Sequence, residues 1–97
     1  MSYGHIGSMK TLPGRRDEVV DRLTESGKAD LLPGCLSYIV GLSETDPDVI
    51  WVTEVWESKE SHAASLQIPE VKDSISGVLP LLTGEFSRQE TTVVTGI

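Results

Sequence analysis

The sequence predicts an α+β fold with the element order β-α-β-β-α-β, the split βαβ arrangement of ferredoxin-like domains. Three observations predict it. Two apolar runs rich in β-branched residues, Cys35–Leu42 (CLSYIVGL) and Val49–Trp56 (VIWVTEVW), flank the turn-rich SETDPD and read as a hairpin. Apolar residues recur at helical spacing before this hairpin and again after it. Strand-like segments open and close the chain, which reads as one domain over residues 1–97, without repeat or linker.

Taken in order, the first strand covers Tyr3 to Leu12, where Ile6, Ser8, Lys10 and Leu12 alternate with His5, Gly7 and Met9 until Pro13-Gly14 stops the run. Arg15 to Leu32 reads as a helix, because Val19, Val20, Leu23 and Leu31, with Gly27 on the same stripe, follow a 3.6-residue period. Asp17 and Glu18 in its first turn suit the positive end of the helix dipole, and Pro33-Gly34 supplies the stop. Both faces of the hairpin strands are apolar, so both faces of the sheet are expected to be covered. Ser58 is a good N-cap for a short helix from Lys59 to about Leu66, with Ser61 standing where a capping box would have an acid. Pro69 breaks that helix and starts the next, along which Val71, Ile75, Val78, Leu79 and Leu82 share a face, and Pro80 should kink or end it. Glu85 to Thr95 alternates as the closing strand.

Composition narrows function. A 97-residue chain is short for hollowing out a pocket, since a domain of this size buries only roughly 60–70% of the surface its unfolded chain exposes, so oligomerisation is expected to add burial. The formal charge of −7, from 15 acids against 8 bases, disfavours nucleic acid and acidic membrane surfaces as partners. The N-terminus MSYGHIGSMK lacks the charged and apolar regions of a signal peptide, and no apolar run approaches the roughly 18 residues of a spanning helix. A cytoplasmic location is the expectation, and the single cysteine, Cys35, fits a reducing compartment.

Leu12-Pro13-Gly14-Arg15, then Pro33-Gly34-Cys35-Leu36-Ser37-Tyr38, then Trp51-Val52-Thr53-Glu54-Val55-Trp56-Glu57-Ser58, then His62 and Pro69, together resemble the antibiotic biosynthesis monooxygenase (ABM) family, including the quinol monooxygenases. The resemblance covers nearly the whole chain. It implies a dimeric α/β barrel in which each subunit lays its sheet against its partner's, and an oxidation of polyphenols, anthrones or quinols by O2 with no flavin, metal or haem. Many members read H-x-x-H where this chain reads His62-Ala63-Ala64-Ser65. In the haem-degrading relatives three positions hold the functional Asn, Trp and haem-ligating His; by spacing these are Gly7, Ser65 and Ile75 here, so haem degradation is not expected.

Oxidation of this kind needs an apolar pocket for a flat ring, a group that favours the substrate anion, and polar groups that hold it. The period of two places Glu54 and Trp56 on one strand face, which the resemblance turns toward a cavity, with His62 reaching it from the next helix. Glu54 and His62 are therefore the candidate catalytic pair, as base or proton relay, and Trp56 and Tyr38 the candidate substrate-binding residues. Each has a structural alternative: Trp56 and Tyr38 as core, Glu54 as a satisfied cross-strand partner, His62 as a solvated helix residue. His5 and His62 have no metal-ligand spacing, and no G-x-G-x-x-G follows a strand, so no metal or nucleotide is expected. The expected function is a cofactor-independent monooxygenase acting on a small aromatic or quinol as a homodimer. The alternatives are a non-catalytic dimeric module that binds a small hydrophobic ligand or assists a pathway partner, and a cyclase or isomerase on the same fold. A buried carboxylate or imidazole beside a closed apolar cavity favours the enzyme; a cavity filled by Trp56 and Tyr38 favours the module.

Overall fold

In the computed structural model, which describes residues 1–24 and 32–96, strand β1 runs Ser2–Thr11, helix α1 Arg16–Leu23, β2 Cys35–Leu42, β3 Val49–Trp56, α2 Lys59–Ser65, α3 Pro69–Val78 and β4 Leu82–Val93, with a 3-10 turn at Leu79–Leu81 before β4. The predicted helical positions Gly27 and Leu31 lie outside the described residues. Two Leu-Pro-Gly sequences reverse the chain in the same way. Arg15 N–H donates to the Leu12 carbonyl and Cys35 N–H to the Leu32 carbonyl, each at 3.0 Å, and the glycines take φ of 78° (Gly14) and 85° (Gly34). A positive-φ glycine third is what a type II turn requires and proline second is favoured there, so each prolyl-glycine both ends one element and aims the next.

The strands form one antiparallel sheet in the order β2-β3-β1-β4. Register decides its faces. Met9 pairs with Ile50, Gly7 with Val52 and His5 with Glu54 across β1 and β3. Ile50 and Val52 are buried in the core with Val19 of α1, Val78 of α3 and Leu81, so the face carrying His5, Gly7, Met9 and Glu54 is the helix-covered one. Arg16, at the start of α1, pins the far end of the hairpin by donating to the carbonyls of Ser43, Asp46 and Val49. Among the described residues no helix is long and apolar enough to cross a membrane.

The expected α/β barrel is not formed. The order β2-β3-β1-β4 leaves β2 and β4 as open edges, unpaired with each other, and the sheet does not close. The order β-α-β-β-α-β is otherwise as predicted, with the second helical segment split in two at Pro69. Pro80 ends α3, as expected, and converts the next three residues to the 3-10 turn. As a result Leu82, assigned above to the helical stripe, instead begins β4 and pairs with Thr11 beyond a register shift. The closing strand thus starts three residues earlier than its own alternation indicates.

Candidate active site

Helix α2 is the element that turns a sheet face into a site. Ser58 caps it, its Oγ accepting the Ser61 N–H at 3.1 Å, and the His62 N–H closes the first turn on the Ser58 carbonyl. This fixed start points His62 at the end of β3, where its imidazole meets the Trp56 indole edge-on at 5.3 Å. Trp56 is 1% exposed.

Glu54 lies at the centre of the polar groups. Its Oε1 accepts the Trp56 indole N–H at 3.1 Å and stands 4.0 Å from His62 Nε2, while Oε2 is 3.5 Å from His5 Nδ1. The two imidazoles stack with centroids 4.9 Å apart. All three side chains are largely covered, at 13–14% exposure. His5 Nδ1 is buried and has no hydrogen-bond partner among the described residues. Beside the cluster, Tyr3 packs 5.5 Å from His62 and donates to Glu90 at 2.8 Å, and Lys59 reaches Glu90 at 3.5 Å.

Burial lowers the His62 pKa below its ordinary value, against the opposing pull of the Glu54 charge, so its imidazole stays neutral and able to accept a proton to lower pH than a free histidine. Tyr38, opposite Glu54 across β2 and β3, is pushed up to about 12 by burial and then by the Glu54 charge, and stays a hydrogen-bond donor. The His62 shift has a consequence for stability. A depressed folded-state pKa means that the unfolded chain binds more protons as pH falls through the ordinary histidine range, near 6.5, so His62 costs stability below that range and nothing well above it. Urea unfolding between pH 5 and 8 should show His62→Gln losing part of the acid-side decline of the parent protein. An identical decline in both would contradict it.

A cavity of about 520 Å³ opens beside the cluster, between the sheet and the helices. Its walls include Met9, Val52, Val71, Ile75 and Phe86, and Glu54, His62, Trp56 and Tyr38 all line it. Ligand pockets span about 300–1,000 Å³, so the space suits a small flat ring system. Gly7, Ser65 and Ile75, which spacing sets at the haem-degrading positions, line it as well. Trp56 is part of the wall and does not fill it.

Sequence reasoning missed His5. No local motif marks it, because its partner Glu54 is 49 positions away and the two meet only through the β1–β3 register. The sole signal was the strand order of the fold class: once β1 lies beside β3, one residue of β1 must oppose Glu54.

The sequence profile of the family described as antibiotic biosynthesis monooxygenase matches residues 2–76. A candidate antibiotic biosynthesis monooxygenase of Chloroflexus aurantiacus J-10-fl has a similar crystal structure, with 43% sequence identity and a TM-score of 0.83 over 100% of this chain and 99% of that one. Candidate members from Caulobacter crescentus CB15 (23% identity, TM-score 0.83, 97% and 91% covered) and Nitrosomonas europaea (12%, 0.87, 96% and 90%) share the fold. No curated protein matches the sequence.

Proposed function

This chain belongs to the antibiotic biosynthesis monooxygenase family, and we propose that it oxidises a small phenolic or quinol substrate with O2, the cluster of His5, Glu54 and His62 taking the substrate's proton. The observation that carries this reading is a covered carboxylate with two imidazoles at the end of an unfilled apolar cavity. A phenol or quinol bound against the apolar walls presents its hydroxyl to the cluster, with the Tyr38 hydroxyl as a further donor along the same wall. Neutral His62 accepts the proton, and Glu54 stabilises the imidazolium that results. The substrate anion is then the electron donor: it reduces O2 by one electron, and recombination places one oxygen atom on carbon while the second leaves as water when a CH2 centre becomes C=O. Electrons come from the substrate, so the protein's task is to make and hold the anion.

The test is oxygen uptake by the purified, chelator-treated protein with a panel of dihydroxynaphthalenes, anthrones and quinols. One substrate at least should raise uptake above the protein-free rate. If none does, the ligand-binding module takes precedence.

We further propose that the protein works as a homodimer through the uncovered sheet face. Trp51 (43% exposed) and Ile39 (58%) lie there beside Ile6 and Val55, a cluster of apolar side chains of the kind that marks an interaction surface. Pairing this face with its copy would bury on the order of 2,000 Å². Sedimentation equilibrium is expected to give a dimer, and Trp51→Glu a shift toward monomer. A parent protein that is a folded monomer at micromolar concentration would contradict this.

A further inference from the structure

We propose that His5, Glu54 and His62 also form a binding site for a divalent transition-metal ion of the Zn²⁺ or Co²⁺ class, at the end of the cavity. The proposal shares its location with the proposed oxygenase site but does not depend on turnover. Two imidazoles and a carboxylate are the donor set that such borderline cations accept, and they leave a further coordination position open. Here the three donor atoms all lie within 4.8 Å of one another.

The geometry needs an adjustment at His62 alone. Bonds of about 2.1 Å in a tetrahedral site put donors about 3.4 Å apart. His5 Nδ1 and Glu54 Oε2 are at 3.5 Å already, and a cross-strand register holds them there; His62 Nε2 stands 4.0 Å from the other oxygen, Oε1, and has to swing toward Oε2 on its side-chain torsions. The Trp56 N–H holds Oε1 at 3.1 Å, as outer hydrogen bonds do for metal-ligating carboxylates, and leaves Oε2 toward His5. His5 Nδ1 is the most telling atom. It is buried, stands 3.5 Å from Glu54 Oε2, and has no hydrogen-bond partner among the described residues, so a metal bond would satisfy it. The remaining coordination position faces the cavity, where water or a substrate oxygen can reach it.

An ion held here occupies the lone pairs that would accept the substrate's proton. Metal binding and proton transfer are therefore mutually exclusive uses of the cluster, and Zn²⁺ acts as an inhibitor of the oxygenase.

The experiment uses chelator-stripped protein without substrate. Titration with Co²⁺ should give a one-to-one complex with visible absorption, and Glu54→Gln and His62→Ala should each weaken it at least about tenfold. The chain has only two histidines, so a long-range proton–nitrogen NMR spectrum of the unaltered protein reads both imidazoles without ambiguity even if a variant fails to fold. Saturating Zn²⁺ should shift the nitrogens of both. A shift of one imidazole or of neither overturns the site, as does unchanged Co²⁺ affinity in a folded His62→Ala. Oxygen uptake plays no part in these readouts, so failure of the metal site and failure of the oxygenase reading are seen separately.

Discussion

Replacing Glu54 by Gln is expected to lower turnover by about 10²–10⁴-fold, the range that a lost proton-transfer group typically costs. The substitution is nearly isosteric. The amide oxygen can still accept the Trp56 N–H now bound at 3.1 Å, so the side chain keeps its anchor while the charge that would balance a protonated His62 is gone. The loss should therefore fall on kcat more than on KM, with the thermal melt and the oligomeric state unchanged. His62→Ala should show a loss of similar size. If folded Glu54→Gln turns over at the parent rate, the carboxylate is architecture and the proton goes elsewhere.

Trp56→Ala is expected to cost about 3–5 kcal/mol of stability, the range for emptying a buried aromatic site. Trp56 is 1% exposed and the largest fully buried side chain among the described residues. Its removal also withdraws the N–H from Glu54 and the edge that holds the His62 ring. Urea unfolding measures the loss. Trp56→Phe separates the two contributions: it keeps most of the packing and should recover most of the stability, while the carboxylate stays without its anchor and turnover stays impaired. A loss below about 1 kcal/mol for the alanine variant would mean that the site collapses around the gap, and that Trp56 does not hold the cluster.

Much of this arrangement was legible before any coordinates. The hairpin strands have the bounds given by their apolar runs, because turn chemistry in SETDPD is local. Pro69 and Pro80 act through the missing N–H and ring sterics, which need no tertiary context, and both break the helical segment where expected. The start of β4 was not legible. Leu82 is apolar and in phase with α3, and only its pairing with Thr11 makes it a strand residue. The closed barrel was carried over with the resemblance, and the open edges β2 and β4 contradict it. Of the site, Glu54, Trp56, His62 and Tyr38 were read from strand period and resemblance, and the fold brings all four to one cavity. His5 depended on register between strands distant in sequence, which single-chain periodicity does not contain. The proposed metal-ligand set stayed hidden for the same reason: its spacing exists only in space.

The central claim is that the cluster removes a proton from a phenol held in the cavity, and a ligand whose colour reports its charge measures that step without turnover. 4-Nitrophenol absorbs differently as phenol and phenolate. At a pH where the free ligand is largely neutral, ligand bound to the parent protein is expected to show the phenolate band, and ligand bound to Glu54→Gln to show much less of it. A bound ligand that remains neutral in the parent protein, with the same spectrum in Glu54→Gln, would contradict the account.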